Sequence, residues 1–153
     1  MPSLELKVPP LALLVAFGAV MLGLSSVAPA LTLPLVHGTA IASALVLFGA
    51  CVALAGVIAF RASHTTVNPI TPEKSSAVVS TGIYRFTRNP MYLGFALVLA
   101  GWATYLSNAA SLLVLPAFVA YMNKFQVIPE ERVLLAKFGT QFSEYMETVR
   151  RWI

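Results

Sequence analysis

The chain has 153 residues and a formal net charge of +4; 58% of its residues are hydrophobic and only 10% are charged. Soluble domains carry about a quarter charged residues, so this composition excludes an ordinary soluble domain. It also excludes a nucleic-acid surface, because a basic groove needs a water-exposed face to carry it. The length favours a single domain over residues 1–153.

The first charge-free gap runs from Lys7 to Arg61. Because a spanning helix needs about 20 apolar residues, the gap predicts two spans, 10–30 and 39–60. Proline and glycine place the turn between them at residues 30–38. The apolar run is too long for the core of a cleaved signal peptide, so we expect the first span to be retained.

The second charge-free gap predicts two short spans, 90–106 and 109–127. Ser107 and Asn108 mark the break between them, and Pro116 is expected to bend the last span. One long span with a re-entrant piece is the alternative interpretation of this half.

Four spans place all ten Lys and Arg on one side, together with the loop 61–89 and the tail 128–153. Positive residues favour the cytoplasmic side of a membrane. The predicted fold is therefore an all-α, polytopic membrane helix bundle of about four transmembrane helices with short C-terminal cytoplasmic helices. We expect both termini in the cytoplasm and a bacterial or archaeal inner (cytoplasmic) membrane.

The tail carries the signals of two short helices. Pro129 and the acidic pair after it favour a helix start, Gly139 favours a stop, and Thr140 is expected to cap the second helix. Trp152 is expected to anchor the chain at the membrane interface. The second helix is predicted to carry an apolar face formed by Phe142, Tyr145, Met146 and Val149.

Several kinds of site are excluded by pattern. The chain has no P-loop, no dinucleotide-binding glycine motif, no His-Glu-x-x-His and no Gly-x-Ser-x-Gly. His37 lies in the far turn and His64 in the loop on the opposite side, and the single Cys51 lies in an apolar run. No metal site is therefore expected.

One polar cluster is left, in the stretch "GIYRFTRNPMYLG" at residues 82–94. Asn89-Pro90 predicts the N-cap and first residue of a membrane helix. The free amides of such a helix end attract anions, and Arg85 and Arg88 add positive charge beside them. The pattern favours docking of a carboxylate or a phosphate.

The same membrane face receives groups that suit a cation. Tyr84 and Tyr92 offer aromatic rings, and Glu130 and Glu131 return with negative charge. We therefore expect a ligand that carries both a carboxylate and a cation.

Structural interpretations of these residues remain open. The arginines of the cluster suit positive-inside anchors, the tyrosines an aromatic belt, and the glutamates partners of a helix dipole. Arg150 and Arg151 suit contacts to anionic lipid headgroups.

The order of residues over 61–153, "TTVNP.TP..SS..VSTGIYRFTRNPMYLG" followed by "PEERVLLAKFGTQFSEYMETVRRWI", resembles the isoprenylcysteine carboxyl methyltransferase and phospholipid methyltransferase family of integral-membrane enzymes. The resemblance implies S-adenosylmethionine as cofactor at the cytoplasmic face. It assigns catalysis to Arg88 and Glu131 and contacts near the substrate to Tyr145 and Arg150. The cofactor-binding residues that it implies are Tyr84, Arg88, Asn89, Pro90, Tyr92, Gly94, Glu130, Glu131 and Leu134.

The expected function is methyl transfer to a lipophilic acceptor drawn from the bilayer. A carboxylate acceptor is favoured because it needs no base, with an amine or a thiol as alternatives. Asn89-Pro90 stands where the isoprenylcysteine branch often has His-Pro, and the Gly-x-Gly pair of the phospholipid branch is absent, so the acceptor stays open. The rival hypotheses are a non-catalytic membrane scaffold, a small transporter, and a reductase on a related membrane fold. Membrane lipids are the expected partners, with no nucleic acid and no metal.

Overall fold

The computed structural model describes residues 4–63 and 70–153. Within these residues the chain forms helices and turns without a β-strand, apart from one isolated bridge between Thr32 and Asn108. His64 and the "TTVNP" part of the motif lie outside the described residues. The prediction of an all-α membrane bundle is confirmed.

In the part of the chain that the structure describes, three helices are long and apolar enough to cross a membrane, so the chain is an integral membrane protein. They are α1, Pro10–Val27, α2, Gly38–Ala62, and a continuous 30-residue helix, Ala109–Phe138. A fourth apolar helix, α3, covers Pro90–Leu106 and has 17 residues. Short 3₁₀ turns lie at Pro29–Leu31, Pro72–Lys74 and Gly82–Arg85.

The last long helix has four parts, which are α4 (Ala109–Leu112), α5 (Val114–Met122), a π-helical turn (Asn123–Val127) and α6 (Ile128–Phe138). The α-helical pattern breaks at Leu113 because Pro116 has no N–H for the carbonyl of Leu112. The first helix of the predicted tail is therefore not a separate element, since α6 directly continues the membrane helix.

α2 and α3 approach each other so closely that their backbones touch. A Cβ on Gly94 would lie 2.5 Å from the carbonyl oxygen of Gly49, and one on Gly101 would lie 2.8 Å from that of Ala42. Small residues allow such approach between membrane helices. The glycines therefore fix the spacing of α2 and α3. The end of α2 and the start of α3 line the cavity described below.

The turns at the far end of the bundle are joined by the buried side chain of Asn108. Its Oδ1 accepts from the backbone N–H of Ala110 at 3.0 Å and its Nδ2 donates to the carbonyl of Ala28 at 2.9 Å. The backbone N–H of Leu33 donates to the carbonyl of Ser107 at 2.7 Å. Above these turns α1, α3 and α5 enclose an apolar core that includes Met21, Leu99, Ala103, Phe118 and Met122.

The chain ends in α7, Thr140–Thr148. Gly139 ends α6 with a φ of +53°, a left-handed value that favours glycine, and it also occupies the N-cap of α7. The prediction that Thr140 caps this helix is wrong, because Thr140 is its first helical residue. Phe142 and Tyr145 are buried against Val79 and Tyr84, so the apolar face of α7 packs on the protein.

Candidate active site

A cavity lies where α3 begins, at the end of the bundle that carries the charged residues. The centre of a water-sized sphere can occupy about 40 Å³ of it, and all of its empty space, including the opening to solvent, is about 520 Å³. Its walls come from the end of α2, residues 75–79, the turn at Tyr84, the start of α3, α6 and α7. The sequence-predicted residues that line it are Tyr84, Arg88, Asn89, Glu130, Glu131, Leu134 and Tyr145.

The start of α3 is tied to the C-terminal residues. Asn89 is the N-cap residue and Pro90 follows at the first helical position, as the sequence predicted. The Asn89 side chain does not cap the helix, however; its Nδ2 donates to the carbonyl of Arg151 at 2.9 Å. The backbone N–H of Arg88 donates to the carbonyl of Arg150 at 3.0 Å. These bonds close one side of the cavity.

Arg88 forms an ion pair with Glu131, with Nη2 and Oε1 2.9 Å apart. Its Nη1 donates to the carbonyl of Met146 at 2.8 Å. Arg151 completes the cluster with bonds of 2.6 Å from Nη2 and 3.2 Å from Nε to the carboxylate of Glu131. Two arginines therefore hold Glu131, and its charge is neutralised within the protein.

One donor of Arg88 is left over. Its Nε is buried and has no hydrogen-bond partner among the described residues. Burying such a group without a partner costs free energy, so this donor is available to a further acceptor. An anionic group in the cavity would satisfy it.

Glu130 differs from its neighbour Glu131. Its Oε2 accepts a hydrogen bond of 3.0 Å from the Tyr92 hydroxyl. Within residues 4–63 and 70–153, no Lys or Arg forms an ion pair with it. Of the two adjacent glutamates, Glu130 is thus the one whose charge is available to a cation in the cavity.

Aromatic side chains form the remaining wall. Tyr84 is 4% exposed, and its ring meets that of Phe60 edge-on with the centroids 5.1 Å apart. The Tyr145 hydroxyl donates to the carbonyl of Tyr84 at 2.7 Å. Burial raises the pKa of both phenols, and the charge of Glu130 raises that of Tyr84 further. Both tyrosines are therefore neutral at physiological pH.

Four predicted site residues lie elsewhere. Gly94 lies in the α2–α3 contact, Pro90 and Tyr92 are buried without lining the cavity, and Arg150 is exposed and contributes its carbonyl. Tyr92 still reaches the site through Glu130.

Sequence reasoning interpreted Arg151 as a lipid contact and missed its bond to Glu131. The available signal was that a basic residue and an acidic one share one membrane face. Phe60, Ser75 and Val79 also line the cavity. Ser75 and Val79 belong to the quoted motif but were given no role in a site, and Phe60 lies outside the motif.

Comparison with known proteins relates the chain to one family. The phospholipid methyltransferase family matches residues 37–141. The chain is 38% identical over 63 residues to an uncharacterised protein of Haemophilus influenzae, a match that covers 41% of this chain and 100% of that protein. No solved structure matches the chain.

Two further relatives are methyltransferases. Over 108 residues the chain is 32% identical to protein-S-isoprenylcysteine O-methyltransferase A of Arabidopsis thaliana, covering 69% of this chain and 53% of that protein. Over 93 residues it is 31% identical to protein-S-isoprenylcysteine O-methyltransferase of Saccharomyces cerevisiae, covering 58% of this chain and 38% of that protein. The chain thus spans about half the length of these relatives or less.

The fold places the chain among the integral-membrane proteins, because it is an all-α membrane bundle. The bundle has a charged cavity at one end. Since the family match covers more than half of the chain, the protein belongs to the phospholipid methyltransferase family. The resemblance that the motifs predicted is confirmed: the matching family is that of phospholipid methyltransferases, and two relatives are named as isoprenylcysteine O-methyltransferases.

Proposed function

We propose that the protein is an S-adenosylmethionine-dependent methyltransferase that acts on a lipophilic acceptor from the bilayer. The observation that carries this proposal is that, within the part of the chain that the structure describes, one cavity holds both a donor without a hydrogen-bond partner and a carboxylate without an ion-pair partner. The buried Nε of Arg88 has no partner among the described residues, and Glu130 has no cationic partner there. Together they suit a ligand that bears both signs of charge.

The cofactor has such charges. Its carboxylate suits the Arg88 Nε, because hydrogen bonds between charged groups are stronger than neutral ones. Its ammonium and sulfonium suit the Glu130 carboxylate and the faces of Tyr84 and Phe60. Glu131, held by two arginines, keeps Arg88 in place.

When bound, S-adenosylmethionine supplies a methyl group on a sulfonium that is already activated for transfer to a nucleophile. The protein is left to align the acceptor, exclude water and provide the required protonation state. A carboxylate acceptor needs no base. For an amine or a thiol, Glu130 is the carboxylate available to take the proton.

The acceptor is proposed to be the carboxylate of an isoprenoid-type or other lipid-like molecule. Two relatives are named as O-methyltransferases of isoprenylcysteine, which favours an oxygen nucleophile on a lipid-modified group. The mostly apolar shell around the ionic groups, which includes Val78, Val79 and Leu134, suits a substrate that arrives from the membrane. We further propose that the ionic end and both termini face the cytoplasm, on the side of the basic residues.

The test is methyl transfer by the purified protein in detergent. S-adenosylmethionine labelled in its methyl group is incubated with lipid extracts and with simple prenylated carboxylates, and extracted lipids are counted. We expect label in the lipid fraction with wild type and none with Glu130→Gln. Transfer by wild type and the variant at equal rates contradicts the proposal, as does the absence of transfer to every lipid class.

A further inference from the structure

The π-helical turn Asn123–Val127 lies between the membrane part and the site part of the last long helix. In it the backbone N–H of Ile128 donates to the carbonyl of Asn123, five positions back, where an α-helix reaches four. Single π turns often occur at functional sites. Here only Ile128 and Pro129 separate the turn from the two glutamates of the cavity.

Two stripes of side chains on this helix point into the protein. The core stripe consists of Val114, Phe118 and Met122. The cavity stripe consists of Val127, Glu130, Glu131 and Leu134. The core stripe lies before the π turn, and the cavity stripe begins at the last residue of the turn.

Helix geometry shows what the turn does. At about 100° per residue, an unbroken α-helix would point the centre of the cavity stripe about 170° away from that of the core stripe. The additional residue held in a π turn rotates the following helix back by about 100°, which leaves about 70° between the stripes. Without the turn, the glutamates would face away from the bundle.

A proline after the π turn and hydrogen bonds to the N-terminal segment hold the turn in place. Pro129 has no N–H to offer to the carbonyl of Phe125, as an α-helix would require. That carbonyl instead accepts from the backbone N–H of Leu6 at 2.9 Å. The buried Gln126 donates from Nε2 to the carbonyl of Val8 at 2.6 Å. The N-terminal segment thus bonds to the turn at two successive residues.

The C-terminal segment bonds to the start of the turn. The Trp152 indole N–H donates to Oδ1 of Asn123 at 3.0 Å. Both ends of the chain therefore meet at this turn.

We infer that the π turn, locked by Leu6 and Val8 of the N-terminal segment, aims Glu130 and Glu131 into the cavity, with Gln126 as its positioning residue. The N-terminal segment lies before residue 37, where the family match begins, so the family assignment does not supply this role. The expected effect on ligand binding rests on the proposed function, whereas the rotation of α6 does not.

The lock is the pair of hydrogen bonds that join Leu6 and Val8 to the π turn. Two variants weaken it in different ways. Gln126→Leu keeps the volume and removes the donor to Val8. Pro129→Ala restores an N–H that competes with Leu6 for the carbonyl of Phe125 and favours an ordinary α-helix. Gln141→Leu, at an exposed position of α7, is the matched control.

Binding of S-adenosylhomocysteine is measured by titration calorimetry together with thermal unfolding in detergent. We expect both lock variants to bind roughly tenfold more weakly or worse, since small misplacements of site groups are costly. Pro129→Ala is the sharper test, because alanine stabilises a helix and a merely structural role would then leave binding intact. Binding equal to wild type in both variants overturns the expected effect of the π turn on ligand binding.

The rotation is measured separately. Spin labels at the exposed positions of Arg85 and Leu135, in a Cys51→Ser background, report the distance from the site loop to α6. We expect a shift of several Å in both lock variants and none in the control. An unchanged distance in both variants overturns the inference, whether or not wild type binds the ligand. Failure of wild type to bind counts against the proposed function alone.

Discussion

Tyr92 donates a hydrogen bond of 3.0 Å to Glu130, and this bond joins the first turn of α3 to the first turn of α6. Tyr92 is 4% exposed and does not line the cavity. Its hydroxyl therefore holds the Glu130 carboxylate from behind, while the cavity side of that carboxylate stays available to a ligand.

Replacement of Tyr92 by phenylalanine tests this support. Hydrogen bonds to charged groups contribute about 1.5–3 kcal/mol, and Tyr92→Phe removes one while keeping the ring. We expect a lower unfolding temperature and roughly tenfold weaker binding of S-adenosylhomocysteine. Tyr121→Phe, whose ring packs on Phe17 and Phe125, is the control. Unchanged binding in Tyr92→Phe would show that Glu130 needs no such support.

The two arginines on Glu131 predict an order of stability losses. The side chains of Arg88 and Glu131 are only 11% and 13% exposed, and removal of one partner of a buried pair costs about 3–5 kcal/mol. Arg151 is 37% exposed, so its loss is expected to cost less. We expect unfolding temperatures to fall most for Glu131→Gln and less for Arg151→Gln.

Arg132→Gln provides the baseline for this series. Arg132 and Glu5 form an exposed pair at 3.4 Å, and such pairs contribute about 0–1 kcal/mol. If Arg132→Gln destabilised the protein as much as Glu131→Gln, the cluster around Glu131 would contribute no more to stability than an exposed ion pair.

Close approach of α2 and α3 predicts a contrast between two glycines. Gly94→Ala places a Cβ against the backbone of Gly49 and must separate the helices. Gly23→Ala meets nothing within 4 Å, and alanine favours a helix over glycine by about 1 kcal/mol. We expect thermal unfolding in detergent to show a clear loss for Gly94→Ala and no loss for Gly23→Ala. Equal behaviour of the two would contradict the tight contact.

Asn108 is expected to be a stability residue of the far turns, remote from the cavity. Asn108→Ala removes a helix cap, which costs about 0.5–2 kcal/mol, together with the bond to Ala28. The unfolding temperature should fall while binding of S-adenosylhomocysteine by the folded protein is kept. Ser25→Ala, at a partly exposed residue whose hydroxyl bonds within its own helix, should change neither.

Local signals in the sequence predicted local structure. Asn89-Pro90 marks the start of α3 and Gly139 the end of α6, because capping depends on a few neighbouring residues. The absence of charge over long stretches predicted the bundle, because charged side chains are costly in hydrocarbon.

Contacts between distant residues could not be predicted in this way. The bond from Arg151 to Glu131 depends on how α6 and the C-terminal residues pack, and no motif records it. The π turn was missed for the same reason, since Pro129 also suits the start of a separate helix. The motif pointed to residues that line one cavity, but it did not separate Glu130 from Glu131.

The central claim is that the cavity binds S-adenosylmethionine through Arg88 and Glu130. Calorimetric titration of the purified protein with S-adenosylhomocysteine tests it most directly, with Glu130→Gln and Arg88→Gln compared with the surface variant Gln141→Leu. We expect binding with one ligand per chain by wild type and by Gln141→Leu, and strongly weakened binding by the two site variants. No binding by wild type, or equal binding by all four proteins, would contradict the claim.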